Sequence, residues 1–187
     1  IDKTVKLWDV SKRQEKATLS GHTSAVNCVT FSTDSKLLAS GSDDKTIKLW
    51  DMNEYKVLGT FSGHVGNVNS VAFSSDDKLL ASGSSDKTVK LWNTVEYKEV
   101  STLSGHVSAV NSVIFSGNSK LLASGSSDKT VKLWDSVSHK EESMLSGHSS
   151  PVNSVAFSHD GKHLASGRLD KTVKLWGMNE YKELGTF

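Results

Sequence analysis

Apolar and polar positions along this chain trade places in short runs, and the runs come in sets of four. Within one set, VNSVAFS (68–74) is rich in Val and Phe and is followed by the polar cluster SSDDK. LLASGS (79–84) comes next, then the tight turn SDK, then TVKLW (88–92), where Lys90 interrupts β-branched and apolar residues. NTVEYK makes a longer turn, and EVSTLS (99–104) closes the set. Runs of this length, bounded by Asp, Ser and Gly and rich in Val and Thr, predict β-strands joined as hairpins. No segment sustains a 3.6-residue period, which disfavours helix. The first two runs are apolar on both faces, so the sheets should be covered on both sides.

The whole set recurs at a fixed distance. LLASGSSDKTVKLW at 79–92 returns with few changes at 37–50, 121–134 and 163–176, and its second half opens the chain. Trp8, Trp50, Trp92, Trp134 and Trp176 are each 42 residues apart, as are Gly21-His22, Gly63-His64, Gly105-His106 and Gly147-His148. A period of this size marks a repeat architecture. A lone four-stranded sheet with two apolar faces cannot bury itself, so neighbouring units must stack. Radial stacking with short, protected edges makes a propeller. The predicted fold class is therefore all-β: four four-stranded blades at 21–62, 63–104, 105–146 and 147–187, led by a half blade at 1–20 that holds only third and fourth strands. Together they form one propeller domain. The chain opens at Ile1 inside a repeat and lacks inner strands for its leading unit. It is expected to belong to a longer array in a larger protein, or to self-associate through open, apolar blade faces.

Gly-His near the start of each unit and Trp-Asp at the end of its third strand resemble the WD-repeat β-propeller family, over essentially the whole chain. Two units depart from the Trp-Asp pattern, with Trp92-Asn93 and Trp176-Gly177. The resemblance implies a structural tetrad in each blade, in which Asp, His, Ser and Trp are hydrogen-bonded in series. These are His22, Ser40, Asp44 and Trp50; His64, Ser82, Asp86 and Trp92; His106, Ser124, Asp128 and Trp134; and His148, Ser166, Asp170 and Trp176. A Ser-His-Asp trio also invites a hydrolase reading, since that site is recognised by geometry and not by chain order. Four copies argue against it, because one site suffices, and no catalytic residue is assigned.

The totals narrow the function further. A net charge of +1 and a pI near 8.0 make no electrostatic case for nucleic acid. No apolar run approaches a membrane span and no signal peptide opens the chain. Cys28 is the only cysteine, so no internal disulfide can form, and a cytoplasmic, reducing setting is expected. Cys28 replaces Ser70, Ser112 and Ser154 and reads as a small core residue. His139, His159 and His163 have no partner at metal-ligand spacing and read as solvated. Lys45-Thr46 and its three equivalents lack the glycine-rich loop of a phosphate cradle and read as strand residues with a solvated lysine. No metal and no cofactor is expected.

The resemblance also marks three positions per blade as contact points on one rim. Here they are Thr23, Ala25 and Asp43; Val65, Asn67 and Ser85; Val107, Ala109 and Ser127; and Ser149, Pro151 and Leu169, the last beside Arg168. Apart from Arg168-Leu169 this rim is small and plain, without the Trp, Tyr and Arg that dominate binding hot spots. On the opposite rim a family glycine is replaced by Tyr55, Tyr97, His139 and Tyr181. Tyrosine resists the positive φ that glycine accepts, so that turn is expected to take another conformation, with its ring packed on an outer strand. The function read from all this is a non-catalytic scaffold or recognition surface for protein or peptide partners. A sensor array on a signalling NTPase and a consensus-like propeller without ligand are the alternatives.

Overall fold

The structure, a computed structural model, describes residues 2–168 and 171–187, and every regular element among them is a strand. The leading two-stranded sheet pairs β1 (Thr4–Asp9) with β2 (Gln14–Ser20). Blade one follows as β3 (Val26–Phe31), β4 (Leu37–Ser42), β5 (Thr46–Asp51) and β6 (Val57–Ser62). Blade two is β7 (Val68–Phe73), β8 (Leu79–Ser84), β9 (Val89–Asn93) and β10 (Lys98–Leu103). Blade three is β11 (Val110–Phe115), β12 (Leu121–Ser126), β13 (Val131–Asp135) and β14 (Glu141–Leu145). Blade four is β15 (Val152–Phe157), β16 (His163–Arg168), β17 (Val173–Gly177) and β18 (Lys182–Thr186). Each blade is an antiparallel meander in chain order, inner strand to outer. The Gly-His loops and the turns before each third strand lie on one rim. The turns after the first and third strands lie on the other.

Two bulges recur in every blade. One interrupts the first pairing, as between Val68 and Ser70, and the other sits at the third-to-fourth pairing, as between Leu133 and Trp134. A bulge adds a residue on one strand and re-aims a side chain. The residues displaced at the first bulge are Asn27, Asn69 and Asn111, and each reaches into the next blade. Their Nδ2 groups donate to the carbonyls of Val68, Val110 and Val152 at 3.1, 2.9 and 2.9 Å. Serine hydroxyls complete the stitch: Val113 N–H donates to Ser70 Oγ at 3.1 Å and Val155 N–H to Ser112 Oγ at 3.2 Å. Cys28 takes the same place facing Val71, and burial pushes its thiol up to about 12.

The apolar cores lie between blades. Ala81, Val89 and Leu91 of blade two pack with Val110, Val113, Leu122 and Trp134 of blade three. Full burial of such side chains contributes roughly 1.5–3 kcal/mol each. The closest approaches use glycine. A Cβ on Gly41, Gly83 or Gly125 would stand 2.6, 2.7 and 2.7 Å from Cγ1 of Val68, Val110 and Val152 in the following blade. Gly167, the matching residue of blade four, has nothing within 4 Å. At the other end Val29 and Phe31 on β3 are half exposed, and Trp8 of the two-stranded sheet is 59% exposed where Trp50 is 1%. The sheets therefore do not close a ring: the inner half of blade one is uncovered at one end, and at the other the face of blade four is open out to its third and fourth strands.

Three local expectations are corrected. Tyr55, Tyr97, His139 and Tyr181 do adopt the left-handed turn, with φ of 54, 56, 58 and 54°. In three blades the residue ending the third strand caps the turn: Asp51 accepts the amides of Asn53 and Glu54, Asn93 those of Val95 and Glu96, and Asp135 those of Val137 and Ser138, whereas Gly177 before Tyr181 has no side chain to do so. The ring then packs on the preceding blade; Tyr97 lies over Gly59 and 6.1 Å from the Phe61 ring. Lys45, Lys87, Lys129 and Lys171 are left-handed turn residues, with φ of 69–74°, and not strand residues. Among the three histidines read as solvated, only His159 is exposed, while His139 and His163 are half-buried.

Candidate functional site

Each tetrad begins with the third-strand tryptophan, whose indole N–H points inward across the sheet. Trp50 Nε1 donates to Ser40 Oγ, Trp92 to Ser82 and Trp134 to Ser124, all at 2.8 Å. The serine oxygen, now an acceptor, gives its own proton to histidine Nε2: Ser40 to His22 at 2.8 Å, Ser82 to His64 at 2.7 Å, Ser124 to His106 at 2.8 Å. That leaves histidine Nδ1–H to donate to the aspartate, at 2.8 Å to Asp44 and 2.7 Å to Asp86 and Asp128. In blade four Trp176 and His148 meet Ser166 at 2.7 and 2.6 Å. Asp170 lies outside the described residues.

The electrostatics follow from burial. Desolvation lowers the pKa of His64 and His106, against the pull of Asp86 and Asp128, so both imidazoles are neutral. The aspartates are also desolvated, which raises them, but hydrogen bonds outweigh this and hold Asp86 and Asp128 at about 2. Asp44 is lowered in the same way, with Thr46 and Thr23 as its main donors after desolvation is overcome. Besides histidine, Asp86 takes the Thr88 hydroxyl at 2.7 Å, the Thr88 amide at 3.0 Å and the Val65 amide at 3.0 Å. The threonine of the Lys-Thr pair is thus a fifth member of the network, where its sequence pattern suggested only a strand residue. As a nucleophile the serine is badly placed. Ser40, Ser82, Ser124 and Ser166 have no exposed surface, and each hydroxyl already serves the tryptophan and the histidine.

The aspartate is the link from core to rim. Its carboxylate fixes the amides of Thr23, Val65 and Val107, the residues that follow the Gly-His histidines. The two other rim positions are tied to each other through the backbone: Asp43, Ser85 and Ser127 N–H donate to the carbonyls of Ala25, Asn67 and Ala109, each at 2.9 Å. Asn27, Asn69 and Asn111 then bond to Asp43, Ser85 and Ser127, which connects the rim to the inter-blade stitch. Val65 and Val107 stand out of this frame, 78% and 75% exposed. In blade four, Ser149 is exposed and Pro151 half-buried, and the Arg168 guanidinium lies along the rim, bonded to Thr172 Oγ1 and Ser149 Oγ at 2.8 Å. Leu169 lies outside the described residues.

One further set is not foreseen from sequence. Lys90, Lys132 and Lys174 alternate with apolar residues in the third strands, yet Lys132 and Lys174 are buried. Their ammonium groups meet Glu99, Glu141 and Glu183 at 2.8, 2.6 and 2.6 Å. Lys90 and Lys132 also sit 6.0 Å from the rings of Trp92 and Trp134. The usable signal was Glu nine residues after Lys, absent only where Val57 follows Lys48.

The sequence profile of the WD domain, G-beta repeat, matches residues 13–51, 55–93, 97–135 and 139–177. The chain belongs to the WD-repeat family. The family's unit begins in one sheet and ends in the next: 13–51 starts just before β2 and finishes at the end of β5. WD repeats generally serve as non-catalytic, protein-interacting units, and this chain is built from them. It is similar to apoptotic protease-activating factor 1 of Danio rerio, 54% identical over 41 residues, which is 22% of this chain and 3% of that protein. It is also similar to an F-box/WD repeat-containing protein A-like protein of Dictyostelium discoideum, 44% identical over 41 residues, 22% of this chain and 4% of that protein. Each likeness spans about one WD repeat.

Proposed function

We propose that this chain is a non-catalytic scaffold that binds a protein or peptide on the rim carrying its Gly-His loops, as one part of a larger protein. The observation that carries the reading is the coupling of the aspartates to that rim. Thr23, Val65 and Val107 are held at the same height in successive blades by carboxylates that are themselves anchored in the cores. Backbone fixed in this way loses little freedom on binding, which lowers the entropic cost of association. The buried serines support the non-catalytic part, and the relatives support the larger protein: one is named for an F-box beside its WD repeats, and both are far longer than the match.

The test is a pair of charge insertions. Val65→Glu and Val107→Glu should each abolish partner binding in pull-down with the full-length parent, while the thermal midpoint stays within a degree or two of the parent protein. Binding that survives both changes, and is lost instead with Tyr97→Ala on the other rim, overturns the assignment.

A further inference from the structure

The rim opposite the Gly-His loops holds three junctions between blades, and the third differs from the other two. Where successive blades meet there, the turn after the first strand of one blade faces the same turn of the next. At the first junction Asp77 reaches back to blade one, and its carboxylate accepts the amides of Thr33 and Asp34 at 2.8 and 3.2 Å. At the second, Ser119 stands in that place and accepts the amide of Ser75 at 2.6 Å. At the third the residue is Gly161, with φ +68° and nothing within 4 Å of where a Cβ would be. The amides of Gly117 and Asn118, equivalent to those of Thr33 and Asp34, therefore meet no acceptor among the described residues. A cavity of about 560 Å³ opens over them, with Lys120, Leu121 and Tyr181 on its walls.

We propose that this cavity binds an acidic peptide segment from a partner, with one Asp or Glu side chain placed where Asp77 sits at the first junction. The chain itself supplies the template, since two successive turn amides converging on one carboxylate is the arrangement already occupied by Asp77. Two charges distinguish the third junction from the first: neutral Asn118 replaces Asp34 beside the carboxylate position, and Glu142 replaces Leu58, while the lysine is common to both as Lys120 and Lys36. The carboxylates that share the cavity already have donors of their own. Asp160 takes the Ser158 hydroxyl and the Lys162 amide, Asp135 the amides of Val137 and Ser138, and Glu142 the Tyr181 hydroxyl. This site is independent of the Gly-His rim and stands whether or not that rim binds a partner.

Amide resonances of the ¹⁵N-labelled chain, followed while acetyl-Ser-Ser-Asp-Asp-Lys-amide is added, test the proposal. The Gly117 and Asn118 signals should move and saturate, those of Thr33 and Asp34 should stay, and the Asn-for-Asp peptide should move neither pair. Gly161→Asp should weaken peptide binding at least about tenfold, because it fills the site from within as Asp77 does. Asp77 holds φ +58° at the equivalent position, so the replacement fits the turn; Gly161→Ser, which copies Ser119 at φ +54°, is the second variant and should weaken binding less. Gly117 and Asn118 signals that ignore the acidic peptide, or equal binding to parent and Gly161→Asp, overturn the proposal. So does movement seen only with the Asn-for-Asp peptide carrying a free C-terminal carboxylate, which would make the site one for chain ends.

Discussion

Asp128 shows what one tetrad residue is worth. Its carboxylate is almost fully enclosed, and His106 is one of four donors that keep it ionised. His106→Ala removes that donor and strands the Ser124 hydroxyl as well, so the expected loss is about 2–4 kcal/mol of unfolding free energy, measured by denaturant titration. A parallel esterase assay should show no activity to lose; activity that vanishes while stability holds would restore the hydrolase reading. The pH profile follows from the same groups. Asp86 and Asp128 stand at about 2 folded against an ordinary 3.8, so the unfolded state binds protons first as pH falls. Their stabilisation, on the order of 2 kcal/mol each, is complete above about pH 4 and drains away toward pH 2. His64 and His106 are lowered too, which makes stability begin to fall already below about pH 6.5, where the unfolded histidines charge. Thermal melts from pH 8 to pH 2 should decline in those two stages, and a flat profile down to about pH 4 would contradict the buried neutral histidines.

Strand packing makes a sharper contrast between chemically identical changes. Gly83→Ala drives a methyl to 2.7 Å from Val110 Cγ1 and 3.0 Å from Val113 Cγ1, so either the inner strand of blade three moves or the valines leave their rotamers. The cost should be about 1–3 kcal/mol. Gly167→Ala places the same methyl in open space, and its stability should change by less than about 0.5 kcal/mol. Equal effects at the two sites would mean that the blade-four face is covered. Gly59→Ala is the companion case at the outer strand, because its Cβ would meet the Tyr97 ring at 2.5 Å. Combining it with Tyr97→Ala should recover part of the loss, a coupling that a double-mutant cycle reads directly.

At the scale of the molecule, the two uncovered blade faces dominate. Val29 and Phe31 at one end, and Val173 and Leu184 at the other, leave apolar surface of the kind that every internal junction buries. Light scattering on the chain at rising concentration should show association, and substituting Phe31→Lys should reduce it. A concentration-independent monomer would count against open faces as the drivers. Partner binding on the Gly-His rim is predicted to survive Phe31→Lys, since that residue ends β3 on the opposite rim.

Periodicity and residue type were enough to determine the strands, their grouping in fours and the recurrence of His, Ser, Asp and Trp, because a repeated unit states each element four times and averages out local ambiguity. What the neighbouring blade contributes was not legible. Asp51 and Asn93 cap the turns of Tyr55 and Tyr97, but Tyr181 takes the same left-handed conformation after Gly177, and nothing local to the turn announces a ring packed on Gly59. Lys132 and Lys174 merely interrupt apolar residues in the third-strand pattern, yet the fourth strand brings Glu141 and Glu183 over them and closes water out. Gly161 by itself is a glycine in a polar turn. Only the facing turn, with two amides more than 40 residues away in sequence, turns its missing side chain into an opening. Local pattern decides what each strand is; contacts one repeat apart decide which side chains are buried, paired or left to a partner.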